Sequence, residues 1–339
     1  YDIINYSRMK EQYWKYSLII LIVVVGFVLF RQAQPFMNGV LAAVTLYILL
    51  RNFSQWLQSK MNPLLAVWLL TIGTTLFILI PLSLFGWAIF SQLSGMHLNT
   101  QSIIQPAQQT IEIIKERTGF DMLSEKSLSF IVEQISSIGK TVMSGVSDFI
   151  INFAVAIMLL FFMLSGGRQM EEYISTILPF KKADKDEVVK KVALIVRSNA
   201  IGIPLLALIQ GGISLAGYLM LGVPNPVLTA LLTGFASIIP VVGTALIWVP
   251  VVIYFIVTGD WLHAVLMTAY GGVIVSQCDN LIRFILQKKM ADTHPLITIF
   301  GVVAGLPLFG FMGIIFGPLM VALFLLFVDM FRKEYLLSD

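Results

Sequence analysis

The chain has 339 residues, of which 58% are hydrophobic and 12% charged, and its mean hydropathy is +0.87. A soluble domain carries roughly 45–50% apolar and about 25% charged residues, so much of this chain must have lipid as its solvent. A net charge of +3 does not mark a nucleic-acid binder, and the single cysteine, Cys278, excludes an intrachain disulfide framework and a cysteine-based zinc site.

A helix needs about 20 apolar residues to cross the hydrocarbon layer. Residues 17–30 and 37–50 are short apolar runs on either side of Pro35. They read as two short packed spans about a tight corner, with one kinked crossing as the competing reading. The run from Ser17 has no small-residue cleavage signature after it and reads as a retained span. Residues 63–90 form a full span, and residues 1–90 together read as a scaffold and oligomerisation region. Residues 91–145 are polar, with Leu128, Ile131, Val132, Ile135, Ile138 and Val142 at helical spacing. They predict an amphipathic extracytoplasmic insert. Residues 146–165 are the next span. Residues 166–198 form a basic cytoplasmic insert holding Lys181, Lys182, Lys185, Lys190 and Lys191, suited to anionic lipid heads.

Residues 199–331 read as a transport core. Two apolar stretches within it, 226–257 and 295–330, are too long for one upright crossing, and Pro and Gly interrupt both. Each predicts a broken, re-entrant helical hairpin. The tips are assigned to Ser237, Pro240, Gly243 and Thr244 in the first and to Gly305, Pro307 and Gly310 in the second. With the N-terminus inside, this arrangement puts most of the 22 basic residues on the inner side. Residues 332–339 are then a cytoplasmic tail, and both termini are cytoplasmic. The hairpins enter from opposite sides, which is a recurrent way to build a solute site at mid-membrane. The predicted fold class is an all-α polytopic membrane protein with about eight hydrophobic helical elements.

Asp279 and Arg283 lie four apart and share a helix face. Charges at this depth are costly and face a cavity or the bundle interior. Gln277 and Asn280 add polarity beside them, and Gln210 sits at the middle of a span. These five residues are the candidates for lining or gating a solute path. The bland alternatives are a structural ion pair for Asp279–Arg283 and an interhelical hydrogen bond for Gln210. Gly313, Gly317 and Pro318 read as packing positions, because small residues four apart let helices approach closely. His97, His263 and His294 match no metal-ligand spacing. The chain has no Gly-x-x-x-x-Gly-Lys-Ser/Thr, His-Glu-x-x-His or Gly-x-Ser-x-Gly motif. No catalytic residue, metal or cofactor is therefore expected, and the chain reads as a transporter without its own ATP site.

The C-terminal half resembles the autoinducer-2 exporter family of bacterial inner-membrane permeases. The resemblance rests on Pro240-Val-Val-Gly243 with Pro250, on Asp279-Asn280-x-x-Arg283, and on the glycine-rich run from Gly301 and Gly305 through Gly310, Gly313 and Gly317-Pro318. Phe284 stands where the family pattern has proline, so the turn that proline imposes is not imposed here. The resemblance implies a homo-oligomer, with a pentamer expected, and elevator-like movement of the region holding the hairpins. It also implies export of autoinducer-2 or, alternatively, sodium or lithium/proton antiport, in which Asp279 carries the proton. An oligomeric channel or a non-transporting scaffold is the remaining alternative.

Overall fold

The computed structural model of the chain describes residues 2–95, 125–177, 182–239, 242–290 and 295–335. All regular structure among them is helical. The apolar sequence dictates this. With no water in the hydrocarbon layer, each backbone N–H and C=O needs a partner in its own segment, and a helix supplies one. The helices are α1 (Asp2–Ala33), α2 (Met37–Gln58), α3 (Pro63–Gly95), α4 (Glu125–Ile177), α5 (Lys182–Met220), α6 (Pro226–Ala236), α7 (Ala245–Val257), α8 (Trp261–Ala269), α9 (Ser276–Met290), α10 (Pro295–Phe309) and α11 (Gly313–Tyr335). Proline opens α3, α6 and α10, where its missing N–H costs nothing. Short 3-10 turns join α1 to α2 and α10 to α11, and a π-helical stretch, Tyr270–Val275, joins α8 to α9. Taking α6–α7, α8–α9 and α10–α11 each as one broken element, and counting α1 and α2 separately across their kink, gives among the described residues the eight units expected from sequence. Among the described residues, five stretches are long and apolar enough to cross a membrane: Tyr13–Gln58, Pro63–Leu84, Gly145–Ile177, Asp184–Met220 and Leu296–Arg332. The chain is a polytopic membrane protein.

Pro35 bends the first stretch by a single 3-10 turn, Gln34–Phe36, with right-handed helical dihedrals at Ala33 and Met37. The two short runs thus form one kinked helix. Every side chain from residue 13 to residue 36 is exposed, so α1 stands off its own chain, while α2 packs on α4. Asn152 of α4 fixes the corner: its Nδ2 donates to the Pro35 carbonyl (3.0 Å), and its Oδ1 accepts from the Gly39 N–H (2.7 Å). Tyr47, Val67, Leu70, Leu160 and Leu164 form the core between α2, α3 and α4. Helix α4 is 53 residues long and runs through both boundaries of the 146–165 span, bending at Gly166 (φ −114°, ψ 16°). Helix α5 likewise carries the basic insert straight into the next span. Residues 96–124 and 178–181, which hold much of the first polar insert and Lys181, lie outside the described residues, as does the tail from 336.

The second half has three cores among the described residues, the smallest formed by Ile238, Val302 and Ile314. Tyr218, Ala230, Val251, Phe255, Ala264 and Met267 join α5 to α6, α7 and α8. Ile195, Val196, Ile315, Phe316, Leu319 and Ala322 join α5 to α11. Helices α10 and α11 run antiparallel with their backbones in contact. Gly301 faces Gly317 and Pro318, and Gly305 faces Gly313 and Gly317. Gly310 turns the chain between them with φ +53°, a conformation L residues rarely adopt.

Candidate functional site

The candidate site is assembled around α9. That helix is set in place by the π-helical stretch before it. The Tyr270 ring lies against Gly217, and its hydroxyl donates to the Ile213 carbonyl (2.7 Å). The Trp248 indole covers Gly271, where a Cβ would stand 2.5 Å from the ring. Gln210 is fully buried, and its Nε2 donates to the Val275 carbonyl (2.6 Å). A π-helix leaves the ordinary backbone register disturbed, and two side-chain donors reach its carbonyls here. Ser276 is the second, donating to the Gly271 carbonyl (2.9 Å).

One turn further on, Asp279 is 3% exposed. Its Oδ1 lies 3.6 Å from Nη2 of Arg283, whose side chain is 12% exposed. The same Nη2 donates to the main-chain carbonyl of Ser237 (2.6 Å). Ser237 ends α6, and its carbonyl is one of those that a helix terminus leaves without an internal partner. Arg283 therefore satisfies the broken end of the first helix pair and the charge of Asp279 with one guanidinium. No hydrogen bond reaches Asp279 Oδ1 or Arg283 Nε within the chain. Thr244, buried at 3%, precedes α7 on the far side of the break, and a Cβ at Gly243 would stand 2.5 Å from the Ile239 carbonyl. Pro240 lies outside the described residues.

Arg283 also lines a small cavity of about 30 Å³. Ser198, Asn199, Gly202, Ile203 and Leu206 of α5 form one wall, and Thr298 and Val302 of α10 with Ile314 of α11 complete it. That volume suits a water molecule or two. Ser198 and Thr298 are each buried at 7%, and Asn199 Nδ2 donates to the Ile315 carbonyl (3.3 Å). On α5 the positions 199, 203, 206 and 210 fall on one face, so Gln210 continues the stripe that faces α9.

The structure thus brings Asp279, Arg283 and Ser237 together beside this cavity. It does not bring Gln277 and Asn280 to them. Both are exposed on α9, outside the buried face that holds Asp279. Helix α9 continues past Phe284 to Met290. Gly310 is at the turn of the second hairpin, while Gly305 lies earlier on α10 against α11, and Pro307 is exposed within α10. Gly313, Gly317 and Pro318 are buried in the α10–α11 contact. Ser198, Asn199 and Thr298 did not stand out in the sequence. Ser198 and Asn199 look like the polar end of a basic insert, and Thr298 is one hydroxyl in an apolar run. Only the helical stripe from 199 to 210 connects them to the rest.

The profile of the AI-2E family transporter matches residues 18–333. This chain belongs to the AI-2E transporter family. Among similar proteins, a candidate transport protein of Aquifex aeolicus is 28% identical over 211 residues, covering 62% of this chain and 59% of that one. One of Treponema pallidum is 29% identical over 274 residues, covering 76% and 67%. YdiK of Escherichia coli, also named as a candidate transport protein, is 30% identical over 137 residues, covering 40% and 36%. The chain spans about three-fifths of the length of the Aquifex relative. Together with its apolar helices, membership makes this AI-2E family protein a multi-pass membrane protein.

Proposed function

We propose that the protein is an ATP-independent exporter of a small polar solute, with autoinducer-2 the first compound to test. The observation that carries this reading is the position of Arg283. One buried guanidinium joins the end of α6, the carboxylate of Asp279 and a cavity walled by α5, α10 and α11. A charge that spans broken helices and a polar cavity at membrane depth is an expensive arrangement, and its common use is a solute or ion path. Ser198, Asn199 and Thr298 supply neutral polar contacts along that path, and the cavity is its closed state.

Movement is elevator-like. Residues 199–331 carry the path and slide against α2, whose Leu41, Val44 and Ile48 pack on the α5–α11 core. The transporter sits in a bacterial inner membrane with both termini cytoplasmic, and it works as a homo-oligomer, most simply a pentamer. Support for assembly comes from α1, an apolar helix with no part of its own chain covering residues 13–36. The second reading, sodium or lithium/proton antiport, draws on Asp279, a buried carboxylate with one oxygen free of hydrogen bonds.

Flux in proteoliposomes tests both. Saturable autoinducer-2 movement that is lost in Asp279→Asn and in Arg283→Gln supports the exporter. Sodium-dependent proton flux lost with Asp279→Asn instead establishes the antiporter. Flux that never saturates indicates a channel, and no flux of either kind removes the transport assignment for these solutes.

A further inference from the structure

The helix that carries Asp279 and Arg283 holds a spare residue. Between α8 and α9 the backbone is π-helical over six residues, Tyr270–Val275. A π turn closes i→i+5 bonds in place of i→i+4, so it takes up about one residue more than an α turn, and such turns recur at functional sites. One residue of α-helix is a rotation of about 100°. The face that α9 shows to its neighbours is therefore set by where the spare residue is kept.

A few contacts keep it before α9. The Ser276 hydroxyl and N–H both donate to the Gly271 carbonyl, five residues back, a span that belongs to π geometry. Gln210 holds the Val275 carbonyl from α5. Helix α8 is fixed on the other side, with Ala264 and Met267 in a core shared with α5, α6 and α7. The polar groups are incompletely satisfied. Among the described residues seven buried side-chain polar atoms make no hydrogen bond, and four of them belong to Gln210, Trp248, Asp279 and Arg283, all on this element or against it. Buried polar atoms are ordinarily paired, so their gathering here marks a register held at some cost.

If the spare residue passes beyond Met290, where α9 ends, the π stretch becomes α-helical. Each residue of α9 then takes the angular place of the one after it. Cys278 stands where Asp279 is, Ile282 where Arg283 is, and Ile274 where Val275 is. All three incoming side chains are apolar, cysteine included, and Cys278 and Ile282 already flank the inward face half-buried. Asp279 and Arg283 move to the side now held by Asn280 and Phe284, where Gln277 also lies exposed. Charge at membrane depth needs polar surroundings, and Gln277 and Asn280 supply polar side chains on that side. The sequence thus carries two inward faces one residue apart, one charged and one apolar.

We infer that the π stretch is a register switch that gives α9 two rotational states. In this structure Arg283 bonds the Ser237 carbonyl and lines the small cavity. In the second state Ile282 faces that cavity and the end of α6 is released. The use of this switch as a gate rests on the solute path proposed above; the change of register does not.

Thiol labelling of the purified full chain in detergent tests it, with Cys278→Ala and Val275→Cys combined. Val275 is 0% exposed, and in the second state it takes the place of half-buried Ser276. N-Ethylmaleimide should therefore label the introduced thiol slowly, at a rate proportional to the population of that state. Gln210→Leu removes one hydrogen bond from the π register and should speed labelling about five- to tenfold. Deleting Gly272, whose Cβ position nothing crowds within 4 Å, removes the spare residue and leaves Asp279 facing inward. Labelling should then fall by about tenfold or more, with Gln210→Leu present or absent, because only one register remains. Deleting Val273, which is 65% exposed, should do the same and serves where the first deletion does not fold. Labelling that is as fast or faster in the deletion variants would mean that the thiol is reached by local unfolding and would overturn the inference, as would a rate indifferent to Gln210→Leu. The assay needs no solute, so its failure is separate from failure of the transport reading.

Discussion

A methyl group on Gly313 would stand 2.6 Å from the Leu306 backbone nitrogen and closer still to the Gly305 carbonyl, where ordinary contact needs at least 3.4 Å. Nothing at that point is the free end of a flexible side chain, so α10 and α11 must part by roughly 1 Å for Gly313→Ala to be accommodated. Overpacking of this kind costs about 1–3 kcal/mol. Alanine returns about 0.5–1 kcal/mol through its better helix propensity. Gly212 is the internal control: it is also helical, yet nothing lies within 4 Å of an added Cβ. Gly212→Ala should therefore be neutral or stabilising by about 0.5–1 kcal/mol. The two variants should differ by about 2 kcal/mol in reversible unfolding in bilayers or mixed micelles, with Gly313→Ala the weaker. Equal stabilities would mean that the close approach of α10 and α11 contributes nothing, and the packing argument would fail.

Three further outcomes follow from single contacts. Arg283→Gln should destabilise by about 3–5 kcal/mol, because it leaves Asp279 buried without a counter-charge. Adding Asp279→Asn should recover much of that loss, and a double-mutant cycle in the same unfolding assay measures the coupling. Gln210→Leu should leave the Val275 carbonyl unbonded at a cost of about 1–3 kcal/mol. It should also speed amide exchange over residues 270–280, which hydrogen-exchange mass spectrometry resolves; unchanged exchange there would rule out Gln210 as the clamp of the π-helix. At the start of α8, Asp260 accepts from the His263 N–H (3.2 Å), and Asp260→Ala should cost about 1 kcal/mol by loss of this N-cap. Asp260→Asn, which keeps the capping oxygen, should cost less in the same melt.

Hydropathy revealed the fold class because lipid demands helices and helices need long apolar runs. The breaks were visible for a similar reason: Pro and Gly act locally, so the turn at Gly310 and the antiparallel contact through Gly313 and Gly317 leave a trace in the sequence. Boundaries were harder. A helix does not stop where its side chains turn polar, so α4 and α5 run on through inserts that look separate by composition. The π-helix gave no signal, since its stabilising donors, Gln210, Tyr270 and Ser276, are distant or ordinary in sequence. Spacing placed Asp279 with Arg283 correctly on one face. It also suggested Gln277 and Asn280 as neighbours, because adjacent faces of a helix cannot be assigned to the inside or outside without the partner helices. Ser237 joins Arg283 through its main chain, a contact no side-chain pattern encodes.

Helix α4 has a consequence beyond its packing. At 1.5 Å per residue its straight part before Gly166, residues 125–165, measures about 60 Å, against a hydrocarbon layer of about 30 Å. Even with the bend at Gly166, a large part of its length must project into the aqueous phase as a rigid mast continuous with a membrane span. A binder raised against that mast would reach the protein without touching the lipid-facing surface. Because the helix is unbroken from residue 125 to residue 165, the tilt of the binder would report the tilt of the buried part directly.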